Sequence, residues 1–71
     1  DGTDSLILYN RGVALTEIER YDDAISSYEK AIEISPGYAD AWYNKAELLK
    51  HKGQDDEAEK CFAKVKELEN E

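Results

Sequence analysis

The sequence predicts an all-α fold of about four helices, built as two similar helical hairpins. First, the sequence repeats itself at an offset of 34 residues, so that Tyr9 and Asn10 align with Tyr43 and Asn44. Second, apolar residues recur at intervals of three and four along each copy, which is typical of amphipathic helices. No stretch shows the alternation of a β strand. With only 71 residues, the chain is expected to form one small domain.

The first helix is predicted over residues 4–19. Its packing positions recur at intervals of four and three residues along one stripe: Leu8, Gly12, Leu15 and Ile18. The polar segment 19–22 that follows is short enough for a tight turn between two helices. These features predict a helix that folds back on the next one.

The second helix is predicted over residues 22–35. Its packing stripe has the same period and consists of Ala24, Tyr28 and Ala31, with Ile25 and Ile32 on its flanks. Two acids in its first turn complement the helix dipole. The segment 35–37 ends this helix, because its proline cannot continue the hydrogen-bond pattern and its glycine accepts a left-handed turn.

The second copy predicts two more helices, over residues 38–52 and 55–69. Their packing stripes repeat the plan of the first copy with Trp42, Ala46 and Leu49, and then Ala58, Phe62 and Val65. Gly53 separates the two helices. Basic residues close the first of them and acidic residues open the second, which are the signs that helix ends prefer.

The repeat length and the order of small and large residues resemble the tetratricopeptide repeat, whose pattern is W-x2-L-G-x2-Y, then A-x3-F, then P. In the first copy the pattern positions hold Leu8, Arg11, Gly12, Leu15, Ala24, Tyr28 and Pro36. In the second copy they hold Trp42, Lys45, Ala46, Leu49, Ala58, Phe62 and Asn70. The resemblance implies a right-handed α-α superhelix of two stacked helix-turn-helix hairpins. The offset of 34 residues divides the predicted single domain over residues 1–71 into repeats at 5–38 and 39–71.

Composition excludes several classes of function. The chain has 9 Lys plus Arg against 17 Asp plus Glu, a net charge of −8, which argues against nucleic-acid binding. No apolar run approaches the roughly 20 residues that a membrane-spanning helix needs, so no membrane role is expected. The single cysteine, Cys61, fits a reducing compartment, and we therefore expect a cytoplasmic location. Because the chain contains no Met, we expect it to be part of a longer protein.

The sequence offers no catalytic or metal-binding pattern. His51 lies between two lysines near a helix end, without a Ser or Cys at a spacing that predicts contact. Cys61 sits beside Phe62 in an amphipathic helix and is expected to be a small packing residue. The acids that open the second and fourth helices lack the glycine and the closing glutamate of a calcium loop. We therefore expect a protein that is not an enzyme and has no cofactor or metal.

In stacked helical hairpins, the first helix of each unit lines a concave groove. The positions expected on this side are Leu6, Tyr9, Asn10, Val13 and Glu17 in the first copy, and Asp40, Tyr43, Asn44, Glu47 and His51 in the second. The candidate peptide-binding residues among them are Tyr9, Asn10, Val13, Glu17, Asp40, Tyr43, Asn44 and Glu47. Asn can donate to and accept from a peptide backbone, and Tyr offers a broad contact area. Alternatively, the repeated Tyr and Asn residues only brace adjacent helices.

Some tetratricopeptide proteins bind acidic C-terminal tails through a clamp of Lys, Arg and Asn. Here Tyr9 and Val13 stand where such a clamp needs Lys and Asn. Together with the net charge of −8, this favours a basic or apolar peptide over an acidic one. The leading hypothesis is a protein-interaction module that presents its groove to a peptide or helix of a partner protein. The alternative is a structural scaffold or self-association unit of a longer repeat array. In that case the flank of the last helix at Val65 and Leu68 would be covered by a weak homodimer or by continuation of the array in the parent protein.

Overall fold

The computed structural model describes residues 2–70 as four α helices joined by short turns. These are α1 (Gly2–Glu17), α2 (Tyr21–Ile34), α3 (Ala39–His51) and α4 (Asp55–Glu69). No strand occurs within this range, so the predicted all-α fold is confirmed. The predicted bounds of α4 match, and those of the other helices are off by one or two residues at each end. Residues 1 and 71, the outer limits of the predicted domain, lie outside the described part.

The helices form two hairpins that stack on each other. α1 packs on α2 and α3 packs on α4, and the hairpins meet mainly through α2 and α3. The core between them is made of small and aliphatic residues around one buried ring, with Ala24, Ala31, Ala41, Ala46 and Ala58 fully or almost fully buried. This arrangement is the pair of stacked helical hairpins that the repeat predicts.

The turns within the two hairpins have the same backbone structure. Glu19 and Gly53, which are equivalent in the two copies, both have a left-handed conformation, with φ of 62° and 83°. In each turn the following amide donates to a carbonyl five residues back, as from Arg20 to Leu15 and from Gln54 to Leu49, both at 2.9 Å. These bonds close the helix end in a Schellman motif.

The early end of α1 corrects one prediction. Ile18 was expected on the packing stripe of the first helix, but α1 ends at Glu17 and Ile18 lies in the turn. Its side chain is 63% exposed, because the Schellman turn carries it away from α2. The remaining members of the stripe, Leu8, Gly12 and Leu15, are buried or half-buried.

The first hairpin closes around a contact between a glycine and a ring. Tyr28 is 1% exposed and lies against Gly12, where an added Cβ atom would come within 2.6 Å of the tyrosine Cε1 atom. In the second hairpin the equivalent pair is Ala46 and Phe62, and Phe62 is only half-buried. The small residue predicted at position 12 therefore does allow the helices to approach closely.

The interface between the hairpins combines apolar burial with ion pairs. Ala41 and Leu48 of α3 are buried. On the same stripe, the Nζ atom of Lys45 lies 3.3 Å from a carboxylate oxygen of Glu29 in α2. Just beyond α3, Lys52 pairs with Asp22 at the start of α2. The surface that α2 covers therefore runs along α3 from Ala41 and ends at Lys52, just after the helix.

The flank of α4 that the homodimer prediction used is only partly exposed. Val65 was expected to lack a neighbour, but its side chain is buried at 8% exposure, and Leu68 is half-buried. The reason is that Val65 is on the side of α4 that also buries Ala58 and Cys61, at intervals of three and four residues. Val65 is therefore not available as a dimer contact.

Candidate functional site

A cleft opens between α1 and α3 on the side of the molecule that the first helix of each hairpin lines. Its volume is about 310 Å³. It is lined by Val13, Thr16 and Glu17 of α1, Tyr28 of α2, and Tyr43, Asn44, Glu47 and Leu48 of α3. The cleft thus contains five of the eight residues predicted for the groove: Val13, Glu17, Tyr43, Asn44 and Glu47.

Helical spacing brings these side chains to one place. Val13 and Glu17 are four residues apart on α1 and therefore share a face of that helix. Asn44 and Glu47 are three residues apart on α3 and share a face in the same way. Because the two hairpins repeat the same geometry, the two faces lie side by side and the buried ring of Tyr28 closes the space between them.

Tyr43 supplies the exposed aromatic surface of the cleft. Its side chain is 48% exposed, and its ring lies edge-on to Phe62 with 5.7 Å between the ring centres. The contact with Phe62 fixes one side of the tyrosine ring, so the other side is presented with little conformational freedom. A ring held in this way can contact an apolar side chain of a ligand at a small entropic cost.

Two carboxylates give the cleft a negative charge. Glu17 on α1 and Glu47 on α3 both line it, and both are exposed. Neither takes part in an ion pair within residues 2–70. The five ion pairs found there involve other acids: Asp22, Asp23, Glu29, Glu57 and Glu67. The cleft therefore combines apolar surface with two carboxylates that can each accept from a cationic group.

A hydrogen bond joins the side chains of Tyr9 and Asn44. The Asn44 amide donates to the hydroxyl of Tyr9 at 3.0 Å and to the hydroxyl of Tyr28 at 3.2 Å. The Tyr9 ring is stacked on Tyr38, with 5.2 Å between centres, and is tilted against Tyr28 at 5.6 Å. Tyr9 does not line the cleft, and its contacts are those of a residue that braces the two hairpins.

Asn10 and Asp40 also lie outside the cleft. Both are exposed, and within residues 2–70 Asn10 has no counterpart to the hydrogen bonds of Asn44. Burial raises the pKa of Tyr38, and the neighbouring Tyr9 and Asp40 raise it further. The structure thus separates these two residues from the other predicted groove positions.

Three cleft residues were not predicted from the sequence. Thr16 and Leu48 are next to predicted residues and fall on the same faces at helical spacing, so the three-and-four rule applied once more would have found them. Thr16 also donates from its hydroxyl to the Gly12 carbonyl at 2.8 Å. The sequence places Tyr28 in the core, and its ring is indeed buried. That the same ring also closes the cleft is visible only in the three-dimensional structure.

His51 and Cys61, which the sequence analysis considered for catalysis, lie outside the cleft. His51 is the last residue of α3 and packs edge-on against Tyr21, with 4.7 Å between ring centres. Cys61 is buried, and burial is the main reason that the pKa of its thiol is raised. Within residues 2–70, no three His, Cys, Asp or Glu side chains are grouped so that they could hold a metal ion. None of the four helices has the length and apolar character to cross a bilayer.

Two stacked helical hairpins with an open cleft between their first helices define a helical-repeat protein. Residues 15–71 match the family model described as tetratricopeptide repeat. The match covers well over half of the chain, and the chain belongs to the tetratricopeptide repeat family. The family resemblance seen in the sequence is therefore confirmed.

The chain is also similar to curated proteins and to a solved structure. It is 41% identical over 54 residues to an uncharacterized protein of Methanocaldococcus jannaschii, a match that covers 76% of this chain and 63% of that protein. It is 32% identical over 65 residues to the photosystem I assembly protein Ycf3 of Acaryochloris marina, covering 82% of this chain and 39% of that protein. The crystal structure of MamA superimposes with a TM-score of 0.90 at 28% identity, covering 96% of this chain and 40% of MamA.

The likeness to MamA, itself a tetratricopeptide repeat protein, shows the same right-handed stack of helical hairpins. The chain spans less than two thirds of the length of each of these relatives. Tetratricopeptide repeats are typically non-catalytic modules that mediate protein–protein interactions.

Proposed function

We propose that this chain is a non-enzymatic interaction module that binds a peptide or helix of a partner protein in the cleft between α1 and α3. The observation that carries the proposal is the combination, in one cleft, of the exposed Tyr43 ring with the carboxylates of Glu17 and Glu47, which form no ion pair within residues 2–70. This chemistry fits a ligand that offers an apolar side chain beside a lysine or arginine. The net charge of −8 favours the approach of such a basic ligand.

The size of the cleft supports a peptide as the ligand. A volume of about 310 Å³ is at the lower end of the range of roughly 300–1,000 Å³ that is typical of small-molecule sites. The cleft is open rather than enclosed between helices. It would therefore accept one or two side chains of a longer ligand, whose backbone would lie along α1 and α3.

The braced hairpins support binding by preorganisation. The hydrogen bonds from Asn44 to Tyr9 and Tyr28 tie the three helices around the cleft together before any ligand arrives. A rigid site loses little conformational freedom on binding, so more of the contact energy appears as affinity. In this proposal Asn44 holds the walls of the cleft, while Tyr43, Glu17 and Glu47 contact the ligand.

We also propose a cytoplasmic location, because the free thiol of Cys61 suits a reducing compartment.

The test compares two synthetic hexapeptides that differ only in charge. One carries two leucines flanked by lysines, and in the other glutamates replace the lysines. We expect the lysine peptide to bind and the glutamate peptide to bind at least about tenfold more weakly, because the cleft carboxylates attract one and repel the other. Fluorescence anisotropy of end-labelled peptides measures both affinities.

Matched variants locate the binding site. The double substitution Glu17→Gln and Glu47→Gln should weaken binding of the lysine peptide by about 2- to 30-fold, since two exposed ion pairs contribute about 0.2–1 kcal/mol each. Glu33→Gln with Glu69→Gln changes the net charge equally at exposed positions outside the cleft and should have little effect. Equal binding of both peptides, or equal losses in both double variants, would show that the cleft is not the binding site.

A further inference from the structure

The cleft between α1 and α3 offers a ligand few hydrogen-bond donors. The Asn44 amide nitrogen carries two hydrogens, and it donates to the hydroxyls of Tyr9 and Tyr28 at 3.0 and 3.2 Å. The Thr16 hydroxyl has a single hydrogen and donates it to the Gly12 carbonyl at 2.8 Å. Neither side chain can therefore donate to a ligand unless it first gives up a bond inside the chain.

The polar atoms that remain open in the cleft are mainly acceptors. The carboxylates of Glu17 and Glu47 are exposed and form no ion pair within residues 2–70. Ionised carboxylates can only accept, and the Thr16 oxygen also accepts once its hydrogen is in use. The two tyrosine hydroxyls of the cleft can donate, but they are neutral. A ligand group that fits must therefore bring several donors and no acceptor that needs a partner.

The rest of the cleft wall is apolar and aromatic. Val13 and Leu48 line it together with the rings of Tyr28 and Tyr43. A cation that enters has to lose part of its hydration shell against this surface. A guanidinium is more weakly hydrated than an ammonium, and its flat face stacks on aromatic rings. The wall therefore favours a flat cation over a compact one.

Arginine is the side chain that meets all of these conditions. Its guanidinium is always charged and carries five N–H donors in a planar fork, with no acceptor. Because both carboxylates border one cleft of about 310 Å³, the edges of such a fork can be directed at Glu17 and Glu47. Lysine carries the same charge on a compact, strongly hydrated head without a flat face. Asparagine, glutamine and the peptide backbone bring an acceptor with their donors, and the cleft offers that acceptor only the tyrosine hydroxyls.

We infer that the cleft is an arginine pocket, in which the guanidinium of a partner's arginine lies against the Tyr43 ring and donates to Glu17 and Glu47. The inference rests on the proposed function and names the residue that the cleft selects in its ligand. It goes further in one respect, because it predicts a preference that attraction to the acidic chain cannot produce. Lysine and arginine carry the same charge, and only the donors and the plane of arginine distinguish them.

Four hexapeptides separate the charge, the shape and the donors of the bound residue. Each has two leucines flanked by the tested residue, which is lysine, arginine, symmetric dimethylarginine or citrulline, and anisotropy of an end label gives the affinity. Arginine should bind at least about fivefold more tightly than lysine, because only arginine offers the planar fork. Symmetric dimethylarginine keeps the charge and the plane but loses an N–H at each terminal nitrogen, so it should bind at least about threefold more weakly than arginine. Citrulline keeps the shape without the charge and should bind at least about tenfold more weakly than arginine.

Substitution of Tyr43 tests the contact with the ring. Tyr43→Leu keeps an apolar side chain against Phe62 but removes the flat surface on which a guanidinium stacks. The preference for the arginine peptide over the lysine peptide should therefore fall from at least about fivefold to near one. Tyr21→Leu is the matched control, since Tyr21 packs against His51 outside the cleft and its substitution should leave the preference unchanged.

Shortening the two carboxylates tests the fork without changing the charge. Glu17→Asp with Glu47→Asp keeps the net charge of −8 and draws each carboxylate back by one methylene. The arginine peptide should be weakened at least about threefold more than the lysine peptide, because a rigid fork depends more on geometry than a point charge does. Glu33→Asp with Glu69→Asp makes the same change at exposed positions outside the cleft and should weaken neither peptide.

The outcomes distinguish failure of the arginine pocket from failure of the proposed function. If the arginine and lysine peptides bound equally, and Glu17→Gln with Glu47→Gln weakened both, the cleft would bind a cationic peptide but would not be an arginine pocket. A preference for arginine that persisted in the Tyr43→Leu variant, or that dimethylarginine shared in full, would also overturn the inference. If neither cationic peptide bound the chain, the proposed function and the arginine pocket would both be wrong.

Discussion

The two hairpins have the same length and the same plan, yet the ring at the equivalent position is buried more deeply in the first than in the second. In the first, the ring of Tyr28 is buried against a glycine, and in the second, where the equivalent small residue is an alanine, the ring of Phe62 is half-buried. A Cβ atom added at Gly12 would come within 2.6 Å of the Tyr28 Cε1 atom, so the buried position of this ring requires the glycine. The deeper ring also carries a hydroxyl that reaches Asn44, so the first hairpin is tied to the second in a way that the phenylalanine cannot repeat.

Truncation of the two rings should give the largest difference between the hairpins. We expect Tyr28→Ala to lower the free energy of unfolding by about 3–5 kcal/mol, because it leaves a cavity at a fully packed position. Phe62→Ala should cost about 2 kcal/mol, since part of that ring is already in water. Urea denaturation followed by circular dichroism measures both. Equal losses would mean that the two hairpins are packed equally well.

Asn10 and Asn44 occupy equivalent positions in the two copies, but their substitution by alanine should change the stability by different amounts. Asn44→Ala removes both hydrogen bonds to tyrosine hydroxyls and leaves the buried Tyr28 hydroxyl without this donor, a cost of about 1–3 kcal/mol. Asn10→Ala should change the stability by no more than about 0.5 kcal/mol, because Asn10 is exposed. The same urea denaturation measures both changes in the free energy of unfolding. A large loss of stability in the Asn10→Ala variant would show that Asn10 also holds the hairpins together.

Substitutions at the two left-handed turn residues should change the stability in opposite directions, and these are the smallest of the expected effects. Glu19→Gly should stabilise the chain by about 0.5–1 kcal/mol, because relief of about 1–2 kcal/mol of left-handed strain exceeds the entropy that glycine adds to the unfolded chain. Gly53→Ala should destabilise it by about 1 kcal/mol at the equivalent position. Thermal unfolding midpoints measured side by side test the pair, and a fall in the midpoint of the Glu19→Gly variant would contradict the prediction.

The fold could be predicted from the sequence because each element depends on local spacing. The packing stripes and the helix breakers each determine the structure of the few residues around them. The repeat of 34 residues then shows that the second half of the chain forms the same hairpin as the first. The exception is the end of α1, where the left-handed Glu19 ends the helix without a glycine to mark the turn. The repeat limits 5–38 and 39–71 remain a prediction.

The candidate site was only partly predictable, because equivalent residues have different neighbours. Val13 and Glu47 could be placed beside the cleft from helical spacing alone. The sequence could not tell that Asn44 finds two tyrosine hydroxyls while Asn10 does not, since this depends on which hairpin lies alongside. The contacts of Asn44 are therefore those of the bracing hypothesis, whereas contact of the repeated Asn residues with a peptide stays a prediction.

The hydrogen bond between Trp42 and the turn that joins the hairpins makes the junction observable. Trp42 donates from its indole Nε1 to the carbonyl of Pro36 at 2.8 Å, and the Nζ atom of Lys45 lies 5.7 Å from the ring centre. The chain has no other tryptophan. Its intrinsic emission therefore reports on the docking of one hairpin against the other rather than on the helix content of either. A spectral shift that precedes the loss of helical signal on heating would reveal that the hairpins separate before they unfold.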